Sequence, residues 1–129
     1  MAKFAYVDTS WLIRISFEDE DKKHRRSLKK FSRIFSSDLL ISEALAYARR
    51  EGIQQEEFAQ QFHAVTIVIP DRSLKPEMEK VIKLGYVRGA DLWHLACACY
   101  LAPNPNELSF LSADSRQLEV ARSIGFRLI

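Results

Sequence analysis

Four acidic side chains in this sequence stand where catalytic carboxylates are often found. Asp8 and Asp114 each follow a short apolar stretch, Asp91 opens an apolar segment, and Glu43 lies among apolar neighbours. Carboxylates that converge on one cleft repel one another and raise each other's pKa, so they need a positive partner. The hard cations Mg²⁺ and Mn²⁺ suit ligands that are all oxygen. These residue types therefore indicate a divalent metal site.

The same acids have a simpler structural interpretation. Aspartate is favoured at helix N-termini, so Asp8, Asp91 and Asp114 could each serve only as a helix cap. Glu43 alone could be a solvated helix residue. Residue types and spacing leave both interpretations open.

Other kinds of site find little support. His24, His63 and His94 are scattered, and no Cys/His spacing suits zinc. A packing role is expected for His94, in its apolar segment. Cys97 and Cys99 are two positions apart on a predicted helix, which points them to different sides, so we expect core thiols in a reducing cytoplasm.

The elements that must position the acids alternate between strand and helix, which predicts an α/β domain whose parallel sheet is covered on both faces. With 129 residues, a single domain over 1–129 is expected. Predicted strands cover 3–8, 65–69, 108–111 and 126–129. A first helix is predicted to start at Thr9 or Ser10. A second is predicted to start in the acidic stretch 18–21 and to carry Leu28, Phe31, Ile34 and Phe35 on one side. Further helices are predicted over 42–50, 55–62, 71–84, 90–101 and 115–124. Ligands of such sheets bind beyond the carboxyl ends of the strands, where Asp8 and Asp114 stand.

The charge and hydropathy of the sequence limit the kinds of partner that this protein can have. The net charge is only +2, but residues 22–33 read KKHRRSLKKFSR, a local concentration of positive charge. Such a run is either a solvated helix face or a surface for RNA phosphates. No apolar run reaches 18 residues and no secretory leader is recognised, so we expect no membrane association and a cytoplasmic location.

Four segments in this order resemble the motifs of the PIN domain, and most closely its VapC-like toxin ribonucleases: YVDTSWLI, ISEALAYARREG, RGADLWHLACA and LSFLSADSRQLEVARSIGF. The resemblance implies a three-layer α/β/α sandwich with a mostly parallel central sheet. It also implies a Mg²⁺- or Mn²⁺-dependent endoribonuclease that pairs with an antitoxin protein and forms a homodimer. By motif position Asp8, Glu43, Asp91 and Asp114 match the acidic quartet, although another alignment would move the second acid to the vicinity of Ala48.

The resemblance also implies roles. Asp8 and Asp91 would ligate one or two ions, Asp114 would ligate an ion or hold a metal-bound water, and Glu43 would ligate or orient the nucleophilic water. Supporting roles fall to Thr9 and Ser10, as the cap of the first helix, and to Ser112, whose hydroxyl would bond a carboxylate or a metal-bound water. The residues expected to contact RNA are Lys22, Lys23, Arg25, Arg26, Arg49, Arg50, Arg72, Arg88 and Arg116.

Two other function classes remain open from the sequence. An inactive PIN-like module would only bind RNA or protein. A phospho-accepting receiver domain would want paired acids at the end of the first strand and a late lysine, whereas Asp8 is followed by Thr9 and Ser10.

Overall fold

The computed structural model describes residues 3–18 and 26–129, apart from the side chains of Glu18 and Gln61. The strands are β1 (Phe4–Val7), β2 (Arg33–Ser37), β3 (Val65–Val68) and β4 (Leu108–Leu111). The α-helices are α1 (Thr9–Ile13), α2 (Leu39–Glu51), α3 (Gln55–Phe62), α4 (Lys75–Ile82), α5 (Gly89–Leu101) and α6 (Ser115–Ile124). A π-helical turn covers Arg14–Glu18, and 3₁₀ turns cover Leu28–Lys30 and Pro105–Glu107.

The four strands form one sheet in the order β3-β2-β1-β4, and every pairing is parallel. In the register of this sheet, Tyr6 of β1 lies between Phe35 of β2 and Phe110 of β4. Successive residues of a strand face opposite sides. Tyr6 accordingly packs in one core cluster, and Ala5 and Val7 pack in another.

Helices cover both faces of the sheet. Buried residues of α4, α5 and α6 join Tyr6 and Phe110 in the first cluster. Buried residues of α1, α2 and α3 join Ala5 and Val7 in the second. The predicted α/β/α sandwich with a parallel central sheet is therefore confirmed.

The prediction of a helix that carries Leu28, Phe31, Ile34 and Phe35 is wrong from residue 28 onward. Leu28 lies in a 3₁₀ turn, and Ile34 and Phe35 lie in strand β2. Ile34 packs against one core cluster and Phe35 against the other. A strand buried on both faces shows consecutive apolar residues, which periodicity alone cannot distinguish from a buried helix. The predicted start of this helix at 18–21 falls largely outside the described residues.

Smaller differences concern element ends. Residues 126–129 make only one bridge to the sheet, between Arg127 and Ser109, rather than a strand. Helix α2 begins at Leu39 instead of Ser42, which places Glu43 in its second turn, and α4 begins at Lys75 instead of Asp71. Helix α6 ends as predicted and α2 ends one residue later, at Glu51. Each is closed by a left-handed glycine, Gly52 with φ 72° and Gly125 with φ 116°.

The two thiols are free, as predicted, with Cys97 buried and Cys99 partly buried. Burial raises the pKa of the Cys97 thiol to about 12, so it stays protonated at neutral pH. Within residues 3–18 and 26–129, no helix has both the length and the apolarity that crossing a membrane requires.

Candidate active site

Asp8 sits at the junction between β1 and α1 and is 2% exposed. Its Oδ1 accepts hydrogen bonds from the Trp11 backbone N–H and the Ser10 hydroxyl, both at 2.9 Å. Asp8 is thus the N-cap of α1, and the prediction that Thr9 or Ser10 caps this helix is wrong. Burial raises the pKa of Asp8, while hydrogen bonds from Ser112, Trp11 and Ser10 act in the opposite direction.

Ser112 links Asp8 to the end of β4. Its hydroxyl oxygen lies 2.6 Å from Asp8 Oδ2 and 2.8 Å from Gln117 Oε1, and it accepts the Asp114 backbone N–H at 2.9 Å. A hydroxyl has one proton to donate, so it serves one of the two acceptors at a time. Gln117, fully buried, also donates from Nε2 to the Asp91 backbone carbonyl at 3.2 Å. These bonds tie the first turns of α5 and α6 to the end of β1.

Asp114 is also a helix cap. Its Oδ1 accepts the backbone N–H groups of Arg116 at 2.9 Å and Gln117 at 3.2 Å, at the start of α6. Asp91 is different, because the cap position of α5 is Arg88 and Asp91 lies within the first turn. Asp8 and Asp114 therefore cap helices, as one interpretation of the sequence predicted, and Asp91 does not.

Asp91 is influenced by the charges of two other acids. The pKa of Asp91 is raised first by burial, then by the charge of Asp114 and then by that of Asp8. The opposing influences of His94 and Arg88 are smaller. Asp91 and Asp114 line one cleft, and hydrogen bonds through Ser112 and Gln117 link Asp8 to the starts of α5 and α6. We call these three residues the aspartate cluster.

Glu43 lies beside this cluster in a separate hydrogen-bonded group. Its Oε1 accepts the Thr9 hydroxyl at 2.7 Å and lies 3.2 Å from His94 Nε2. The other ring nitrogen of His94, Nδ1, lies 2.8 Å from the hydroxyl of buried Tyr6. The hydrogen bond with His94 is the main reason why the pKa of Glu43 is lowered. Thr9, next to Asp8 in the chain, therefore supports Glu43 rather than the first turn's cap.

The buried contact between Tyr6 and His94 leads to a stability prediction. His94→Leu should lower the free energy of unfolding by about 1–3 kcal/mol, because the buried Tyr6 hydroxyl then loses a partner. Adding Tyr6→Phe should recover part of this loss, since both polar groups are then gone. Urea unfolding of the single and double variants measures the effect. His63→Leu, at an exposed histidine, is the control and should be nearly neutral. Equal stability of His94→Leu and wild type would contradict the prediction.

A cleft of about 200 Å³ opens onto two members of the aspartate cluster. It is lined by Tyr86, Val87, Arg88, Asp91, Asp114 and Arg116. The structure thus brings two of the predicted RNA-contact arginines, Arg88 and Arg116, to the acids.

Among the described residues, the other predicted RNA contacts do not line this cleft. Arg49 lines a different pocket, at the end of α2. Arg50 pairs with Glu51, and Arg72 pairs with Glu77. Arg26 is exposed, and Lys22, Lys23 and Arg25 lie outside the described residues.

Comparison with known protein families shows the family to which the chain belongs. A sequence model of the PIN domain matches residues 5–123, a span that contains all four acids. The chain belongs to the PIN domain family. PIN domains are generally nucleases, and they typically bind divalent metal ions and RNA. A search of curated proteins found no match.

The donor groups of this PIN domain fit a hard divalent ion. Within the described part of the chain, no three His, Cys, Asp or Glu side chains are arranged to hold one ion together. Magnesium, however, commonly takes only one or two carboxylates and keeps several waters. Asp91 and Asp114 line one cleft and repel each other, so a cation beside them would relieve that repulsion.

Two residues of this PIN domain were missed as site components by sequence reasoning. His94 is buried, as its expected packing role requires, but its ring also contacts Glu43 and Tyr6. Its place three residues after Asp91, on the same side of the helix, is the sequence signal for a role in the site. Gln117 lies three residues after Asp114, a spacing that predicts a capping box. Its side chain instead contacts Ser112 and the Asp91 carbonyl.

Proposed function

We propose that this PIN domain is a Mg²⁺- or Mn²⁺-dependent endoribonuclease that hydrolyses RNA phosphodiester bonds, and the VapC-like toxin of a toxin–antitoxin pair. The observation that carries the proposal is the aspartate cluster at the carboxyl ends of β1 and β4, in a chain of a family of nucleases. Neighbouring carboxylates repel one another, and a bound cation would relieve that repulsion.

The three residues of the aspartate cluster have distinct proposed roles. Asp91 and Asp114, which line the cleft, would ligate one ion, and Asp8 would ligate a second ion or hold a metal-bound water. When bound, such an ion neutralises phosphate charge and lowers the pKa of a bound water. Asp8 is held in one orientation by Ser10, Trp11 and Ser112.

Glu43 would orient the attacking water or contact an ion. The hydrogen bond from His94 lowers the pKa of Glu43, which favours the ionised carboxylate that can take a proton from water or contact an ion. Thr9 and His94 limit its freedom to rotate.

An acidic cleft repels RNA unless cations lie at its rim. Arg88 and Arg116 line the same cleft as Asp91 and Asp114, which supports their role as phosphate contacts. The basic run 22–33 stays a prediction as a further RNA-binding segment, since Lys22, Lys23 and Arg25 lie outside the described residues.

A protein partner is supported by helix α2. Ile41 is 48% exposed and Leu45 is 41% exposed, and their spacing of four residues puts them on one side of the helix. We propose this side as part of the surface for an antitoxin or for a second copy of the chain. A small protein encoded by a neighbouring gene that co-purifies with this chain would support the toxin role.

The ribonuclease proposal is tested with single-stranded RNA. The purified protein should cleave it in Mn²⁺ or Mg²⁺ and stop when EDTA is added. RNA binding without cleavage under any divalent ion would contradict the enzyme and favour the inactive RNA-binding module. Boiled protein and a preparation of the Asp91→Asn variant control for contaminating nucleases.

A further inference from the structure

Tyr86 is an aromatic side chain exposed beside the aspartate cluster. It is 67% exposed, while its chain neighbour Val87 is only 4% exposed and anchors the segment in the core. Tyr86 lines the same cleft as Asp91 and Asp114. The Arg116 guanidinium carbon lies over the Tyr86 ring, 5.9 Å from its centroid. An exposed aromatic ring is thus held next to the acids.

Two other tyrosine–arginine pairs show what is particular about Tyr86. The Arg50 guanidinium carbon lies 5.3 Å from the centroid of the Tyr47 ring, but Tyr47 is partly buried and its ring contacts Phe17. The Arg72 guanidinium carbon lies 5.2 Å from the centroid of the Tyr100 ring, and Tyr100 is likewise partly buried.

Tyr100 also donates a hydrogen bond to Asp71 and lines a groove apart from the acids. Both of these tyrosines have a packing or hydrogen-bonding role that explains them. Tyr86 has neither among the contacts of the described residues, and the ring face that Arg116 does not cover is available to a ligand.

We propose that Tyr86 is a stacking platform for one unpaired base of the RNA substrate. Arg116 and Arg88 then lie beside the base to contact the adjacent phosphates, and Asp91 and Asp114 lie at the same cleft. Stacking on an aromatic ring and phosphate contact by arginine are the two interactions with which proteins hold single-stranded nucleic acid. The inference rests on the proposed function, because it takes RNA as the ligand of this cleft.

The stacking site has a consequence for substrate choice. A base inside a duplex is already stacked between its neighbours, so its face is not available to Tyr86. The cleft should therefore take single strands, loops or bulges, and Tyr86 should contribute little to the binding of fully paired RNA.

Binding measured in EDTA tests the platform without cleavage. Fluorescence anisotropy with a short labelled single-stranded RNA should show that Tyr86→Leu weakens affinity by about tenfold. Tyr86→Phe and Tyr86→Trp should bind like wild type, because stacking needs the ring and not the hydroxyl. Tyr100→Leu is the matched control at another arginine-paired tyrosine, and it should leave binding unchanged. Affinity for duplex RNA of the same sequence should not change with Tyr86→Leu.

A scan with one abasic nucleotide locates the stacked base. At one position, removal of the base should weaken wild-type binding about as much as Tyr86→Leu does, and should cost that variant nothing further. Wild-type affinity in Tyr86→Leu would overturn the platform, as would Phe and Trp variants that bind as weakly as Leu, or an equal loss on duplex RNA.

The two proposals fail separately. A wild type that never cleaves RNA, but whose binding depends on Tyr86 as described, overturns the ribonuclease and leaves the platform standing. A wild type that cleaves in Mn²⁺, with KM unchanged in Tyr86→Leu, overturns the platform alone.

Discussion

Replacement of Asp8, Asp91 or Asp114 by asparagine should each lower RNA cleavage by about 100-fold or more. Electrostatic stabilisation by a metal site is worth several kcal/mol in the transition state, and each 1.4 kcal/mol is about tenfold in rate. Cleavage of a labelled single-stranded RNA in Mn²⁺ gives the rates.

The same substitutions should leave the fold intact. Asp8 and Asp114 are helix caps in the structure, and asparagine caps a helix about as well as aspartate. Circular dichroism should therefore match wild type. Asp71→Asn, at an exposed acid outside the cluster, is the matched control and should keep full activity. Full activity in any two of the three cluster variants would remove the aspartate cluster from the mechanism.

Asp91→Asn should raise the melting temperature of the metal-free protein at neutral pH and remove the stabilisation that Mn²⁺ gives wild type. The pKa of Asp91 in the folded state is raised by burial and by the charges of Asp114 and Asp8. The folded state then binds more protons than the unfolded state, so stability falls as pH rises from the unfolded pKa, near 3.9, through the raised folded value. At neutral pH the full loss is present, and the substitution removes it.

Metal binding should reverse this loss in wild type. An ion that binds only the folded state stabilises it by about 2–3 kcal/mol at a concentration about 100 times its Kd. Thermal melts of both proteins in EDTA and in Mn²⁺, at neutral pH and near pH 3.5, measure the effect. Near pH 3.5 in EDTA the two proteins should melt alike, because wild-type Asp91 is then largely protonated. The lowered pKa of Glu43 acts in both proteins and cancels in the comparison.

If wild type gains nothing from Mn²⁺ and both proteins melt alike at neutral pH, Asp91 is not part of a metal site. A structural role without metal predicts no gain from Mn²⁺, but the raised pKa would still make Asp91→Asn the more stable protein in EDTA at neutral pH.

Strand β2 is the element that the sequence pattern predicted incorrectly, as a helix. Phe31, Ile34 and Phe35 match helical spacing, but Ile34 and Phe35 pack on opposite faces of the sheet. Local spacing cannot tell these cases apart, because the difference lies in what packs against the second face. Gly52 and Gly125, by contrast, marked helix ends correctly, since a left-handed backbone is a local requirement.

The sequence by itself determined the α/β class, most element positions and the ends of β1 and β4 where Asp8 and Asp114 stand. Those features depend on local propensity, alternation of strand with helix, and the geometry of parallel sheets. Only the tertiary structure decided the partners of the acids. His94 meets Glu43 across 51 positions and Tyr6 across 88, and Ser112 meets Asp8 across 104. Such contacts follow from the strand order β3-β2-β1-β4 and from how α2, α5 and α6 pack on it, which no local pattern encodes.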